Sequence, residues 1–219
     1  MNTGTSGGRS SFSNQRRKIT RVLGTVGAAG AIFFLAVFVS LHWLNPQIDL
    51  VRNYVSEYAN GPYGRLFQLS LLVHGFGNLT IAGGFILLVN SRTGKVAAAL
   101  FGLAAIGVLI AGIFSTDPPG SARTIGGIIH ALSAFAAFPI ETIALILFAL
   151  AFRMQPSLKS FVRTTVLLAS LSVVSQTWLL IAIIIGIEPG LPERASFVSL
   201  MAWEILAGLR LAAVPWLPK

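Results

Sequence analysis

Apolar residues in this chain come in long unbroken runs separated by short polar punctuation. A bilayer core of about 30 Å needs about 20 apolar residues in helix. Six stretches meet that length, at 20–43, 63–89, 96–115, 125–151, 165–186 and 196–216. The third carries no charge between Val96 and Phe114, and the fifth none between Val166 and Ile187. The pattern predicts an all-α polytopic membrane bundle of six transmembrane helices, filling residues 19–219. Residues 1–18 are rich in Gly, Ser, Thr and Arg, too polar to bury a core, and predict a disordered basic tail. The apolar stretch that follows is too long for a signal-peptide core and should remain as an anchor.

Composition agrees. Of 219 residues, 54% are apolar and only 11% charged, with no cysteine. Mean hydropathy is +0.78. An ordinary soluble domain carries about a quarter charged residues. Disulfide scaffolds and thiolate chemistry are excluded. The net charge of +9 would suggest nucleic acid in a soluble protein, but its distribution says otherwise. Arg9, Arg16, Arg17, Lys18 and Arg21 precede the first span. Arg92, Lys95, Arg153, Lys159 and Arg163 fill the second and fourth connections, and Arg210 and Lys219 follow at the end. The opposite side holds only Arg52, Arg65, Arg123 and Arg194. Basic excess marks the cytoplasmic face, so both termini are expected there. The charge is a topology signal, and no nucleic-acid partner is expected.

Small residues predict where helices approach closely. Gly24, Gly27, Ala28 and Ala31 share a face on the first span, as do Gly107 and Ala111 on the third.

Ionisable groups within a span cost about 2.5–3.5 kcal/mol each and therefore point to function or to pairing. His74 lies mid-span, with Ser70 and Asn78 four residues to either side. His130 and Glu141 are eleven residues apart, close to three full turns, and so share a face. Pro139 frees the carbonyl of Phe135. Glu204 lies in the sixth span, and Ser172, Ser175, Gln176 and Thr177 line part of the fifth. These residues predict one polar interior shared by the second, fourth, fifth and sixth spans. Among them His74, Asn78, Glu141, Gln176 and Glu204 are the binding candidates.

The longest outer connection, residues 44–62, carries Asn45, Asp49, Arg52, Ser56, Glu57 and Tyr58. Ile48, Val51, Val55 and Tyr58 recur at helical spacing, which predicts a short helix at the interface. Tyr58 and Tyr63 add binding candidates. Asp117, stiffened by Pro118 and Pro119, should lie near the level of His130. Ser56, Glu57, Asp117 and His130 are then expected to converge at the outer leaflet. A Ser, a His and a carboxylate form the cast for acyl transfer, but no local motif fixes their geometry. No H-E-x-x-H occurs, and His74 and His130 fall about 9 Å apart in depth. No metal site and no cofactor are expected.

Leu44-Asn45-Pro46-Gln47-Ile48-Asp49, Tyr54-Val55-Ser56-Glu57-Tyr58, Gly61-Pro62-Tyr63-Gly64, Gly112 through Gly120 and Gly127-Ile128-Ile129-His130 form an ordered set of motifs. In them the chain resembles domain-of-unknown-function family 998, bacterial six-span integral membrane proteins. The resemblance implies that fold and a clustering of patterned residues on the outer side, and brings no activity with it. The first expectation is an integral membrane protein whose outer-leaflet polar pocket binds a membrane lipid or small amphiphile. An alternative is a lipid hydrolase using His130, Asp117 and Ser56. A third is a proton-coupled transporter using Glu141 and His74. Oligomeric state is not legible.

Overall fold

The computed structural model describes residues 6–213, with side chains from Asn14 onward. Six helices run α1 (Ser6–Leu44), α2 (Gly64–Leu88), α3 (Arg92–Ile113), α4 (Ile125–Arg153), α5 (Val162–Ile185) and α6 (Gly190–Ala213). Short 3₁₀ turns occupy Val55–Asn60 and Pro156–Phe161. All six helices are long and apolar enough to cross a membrane.

Three boundaries differ from expectation. Helix α1 continues back to Ser6, over residues assigned by composition to a disordered tail. Extending an existing helix adds a hydrogen bond per residue without a new nucleation cost. Residues 1–5 lie outside the described residues. Helix α6 starts six residues before the expected 196, and its first turn buries Glu193 and Arg194. The expected interfacial helix over Ile48–Tyr58 is largely absent. Residues 46–53 make turns, and only Val55–Asn60 winds up. The Asp49 carboxylate accepts from the backbone N–H groups of Val51 and Arg52 at 2.8 and 2.9 Å. A local turn thereby claims the donors that a helix would have used.

Neighbours in sequence are neighbours in space. The helices form a closed ring in which α6 returns to α1, while α2 and α4 also touch α6 across the middle. Small residues set the tightest seams. A Cβ on Gly24 would stand 2.5 Å from the carbonyl oxygen of Gly208, so α1 and α6 approach backbone to backbone. A Cβ on Gly107 of α3 would stand 3.0 Å from the Ser133 carbonyl oxygen and 3.2 Å from Ala137 Cβ on α4. Such close approach supplies dispersion contacts where lipid offers no hydrophobic drive.

Two aromatic cores divide the bundle by height. We call the end carrying the 45–63, 114–124 and 186–189 connections the upper end. The upper core gathers Phe34, Phe38, Leu41, Tyr58, Phe67 and Leu71. The lower core packs Phe85, Phe101, Phe148, Phe152 and Phe161 around Trp203. Ring pairs of this kind contribute about 0.5–1.5 kcal/mol each beyond their area. Between the two cores lies the polar middle.

Candidate functional site

His74 and Asn78 sit one turn apart on α2 and face Glu204 on α6. The imidazole Nε2 meets Glu204 Oε2 at 2.6 Å, and Asn78 Nδ2 donates to Oε1 at 2.6 Å. His74, Asn78 and Glu204 are 3%, 1% and 0% exposed, so this pair is removed from solvent entirely. Phe34 of α1 stacks flat on the imidazole, with centroids 4.6 Å apart. That contact fixes the ring, and the bond to Glu204 fixes Nε2–H as the donor. His74 Nδ1 and Asn78 Oδ1 then remain without partners among the described residues.

Glu141 reaches the same place from α4. Its carboxyl borders the same cavity as Glu204, and its Oε1 has no hydrogen-bond partner among the described residues. His74, Glu141 and Glu204 border a cavity of about 40 Å³, which Ala111, Ala134 and Phe138 continue toward the upper end. A water needs roughly 10–15 Å³ measured this way, so on the order of two or three fit. Each of the three ionisable residues lies more than two turns from either end of its helix.

The expected single polar interior divides in two. Gln176 on α5 shares the two hydrogens of Nε2 among Thr142 Oγ1 (2.7 Å), Ser172 Oγ (2.8 Å) and the Phe138 carbonyl (3.2 Å). Thr142 and Ser172 also bond each other at 2.6 Å. Thr142 is about 100° round α4 from Glu141, and no hydrogen bond joins this neutral network to the ionisable centre among the described residues. The carbonyl that Gln176 reaches is that of Phe138, not the Phe135 carbonyl freed by Pro139. Ser70 returns its hydroxyl to Phe67 O, and Ser175 joins Ser196, so neither enters the ionisable centre.

At the upper end the four candidates have separate partners. His130 Nδ1 lies 2.9 Å from the Ala111 carbonyl and 2.8 Å from that of Phe114. It therefore caps the C-terminal carbonyls of α3, groups a helix end leaves unsatisfied. Asp117 accepts from Thr124 N (2.9 Å) and Thr124 Oγ1 (2.7 Å), and that hydroxyl accepts from Gly127 N. This relay caps α4, and its hydrogen bonds from Thr124 hold Asp117 below the usual carboxylate range. Glu57 accepts from Asn53 Nδ2 and Tyr54 N within its own turn. Ser56 is half-buried, Tyr58 is fully buried in the upper core, and Tyr63 is exposed. No hydrogen bond joins Ser56, Asp117 and His130 among the described residues.

Sequence reasoning missed one assembly. Glu193 accepts from Val55 N at 2.6 Å, and Gly190 N donates to Val51 O at 2.8 Å. Arg194 Nη1 donates to Asn53 O at 2.7 Å, its Nε lies 3.5 Å from His42, and its Cζ stands 5.9 Å from the Tyr58 ring centre. These contacts clamp the 45–62 connection onto α6. A signal for them existed. Pro192 followed by Glu193 is a helix-start pattern, which places Arg194 inside the helix instead of in a loop.

Fold and site define a six-helix membrane protein with a buried ionisable centre. The family model described as "Protein of unknown function (DUF998)" matches residues 28–210, and the chain belongs to that family. No curated protein and no solved structure matches this chain.

Proposed function

We propose that the protein is a proton-coupled membrane transporter in which Glu141, Glu204 and His74 hold the exchangeable proton. The observation that carries this reading is the interior cavity bordered by two carboxyls and an imidazole, with Glu141 Oε1 unpartnered among the described residues. Ionisable residues within membrane spans are rare and mark proton relays and ion pathways. A proton needs direct reach or one bridging water between carriers, and the cavity has room for such waters. Glu141 takes the proton from the waters, Glu204 is its neighbour in the relay, and His74 with Asn78 stabilises the Glu204 carboxylate. Entry is from the upper end, because the cavity continues that way along Ala134 and Ala111. The asymmetry of basic residues supports the upper end as the outer face, with both termini cytoplasmic in a bacterial inner membrane.

The test is proton uptake by liposomes holding the purified protein and a trapped pH indicator, with the membrane potential clamped and an inward proton gradient imposed. Wild-type protein should acidify the lumen, and E141Q should cut that rate at least about tenfold while keeping the wild-type unfolding profile. A wild-type rate equal to that of empty liposomes overturns the reading.

A further inference from the structure

Helices α4 and α5 diverge on the lipid side to leave a groove of about 370 Å³, within the roughly 300–1,000 Å³ range of small-molecule sites. Phe135, Pro139, Ile146, Val173, Leu180 and Ile183 make its walls apolar. Three polar side chains, Thr142, Gln176 and Thr177, interrupt them, and Thr142 is already bonded to Ser172 and Gln176. The Phe138 carbonyl can only accept, so the bond to it fixes Gln176 Nε2 on the network side. Gln176 Oε1 is then a free acceptor. Thr177 is exposed, and its hydroxyl makes no hydrogen bond among the described residues.

Both groups lie deep. Gln176 is about 14 Å from the nearer end of α5, at Ile185, and about 21 Å from the other end. Polar groups facing hydrocarbon at that depth lose free energy unless a partner arrives, and no water is there to supply one. We infer that the groove binds an uncharged, hydroxyl-bearing amphiphile dissolved in the membrane. Its hydroxyl donates to Gln176 Oε1 and accepts from Thr177 Oγ1, and its hydrocarbon body lies along Ile146 and Leu180. A single hydroxyl matches one free acceptor beside one free donor, which a ketone or an ether does not. A phospholipid does not fit, since its charged headgroup stays at the interface while these atoms sit near the bilayer middle. None of His74, Glu141 and Glu204 lines the groove, so this inference stands whether or not that centre carries protons.

The experiment uses full-length protein in nanodiscs and a long-chain fatty alcohol bearing a diazirine. The controls are the matching alkane probe and a diazirine-bearing phosphatidylcholine. The alcohol should label peptides of α4 and α5, with labelling lost on adding unlabelled alcohol. The alkane should label them about tenfold less, the factor expected when one buried hydrogen-bonding pair is lost. T177V breaks no internal bond and should lower alcohol labelling several-fold, and I146W should block it by filling the groove. Equal labelling by alcohol and alkane, stronger labelling by the phosphatidylcholine, or labelling unchanged in both variants would overturn the inference.

Discussion

Glu141 and Thr142 are adjacent on α4 and belong to opposite kinds of polar environment. On one side Thr142, Ser172 and Gln176 satisfy one another with short bonds and border a groove open to lipid. On the other, Glu141, Glu204 and His74 border an interior cavity, Asn78 bonds to Glu204, and three polar atoms of these residues have no partner among the described residues. The neutral network resembles what a bundle uses to hold helices together. The ionisable centre is poorly satisfied for that purpose, because a buried unpaired polar atom destabilises the fold instead of supporting it.

The sharpest way to break this contrast is to remove Glu204. E204A strands His74 and the Asn78 amide in the interior, and a buried pair broken on one side costs about 3–5 kcal/mol. Unfolding titrations in detergent should show that loss, and a loss below about 1 kcal/mol would place Glu204 outside the centre. E204Q keeps the volume and one acceptor, and should recover part of the stability without recovering proton uptake.

A smaller effect is expected on the neutral side. Q176L removes both amide donors, which reach Thr142 and Phe138 across to α4, yet hydrogen bonds between membrane helices average only about 0.6 kcal/mol each, with a maximum near 1.7. The same titration should give a loss of about 1–2 kcal/mol, with proton uptake unchanged. An uptake defect in Q176L would mean that the two sides of α4 act as one site.

The six spans were legible because hydropathy over about 20 residues is a one-dimensional property, and four of the helices match it within about four residues at each end. Helical phase was legible too, since it placed Asn78 with His74 and both His130 and Glu141 on the inner face of α4. Partners across helices were not. Nothing in spacing says that His130 turns to the α3 carbonyls while Glu141 turns to α6, because that depends on how the ring closes. The start of α6 was misread for a different reason. Glu193 and Arg194 look like loop charges until the 45–62 connection folds over them and supplies Val55 N and Asn53 O as partners.

The exposed rim gives the smallest expected effect and serves as a reference for the buried carboxyls. Asp117 and Asp49 are held below the ordinary aspartate value near 4 by hydrogen bonds from Thr124 and from the backbone of Arg52 and Val51. A depressed folded value means that the stabilisation is complete above the unfolded value and is lost as pH falls through the folded one. Amide exchange of residues 118–127 should therefore be flat from pH 8 to about pH 5, once corrected for intrinsic rates. It should quicken only below about pH 4, and D117N should quicken it at every pH. Protection that changes between pH 8 and 6 would contradict the Thr124 cap as its source.

Whether Glu141 holds an exchangeable proton is most directly read by infrared difference spectra of the membrane-reconstituted protein on a pH step. The expected result is a protonated-carboxyl stretch that changes with external pH, shifts in D₂O and disappears in E141Q while E57Q leaves it intact. A carboxyl signal unchanged in E141Q, or none that responds to pH, would contradict a proton site at the centre of this bundle.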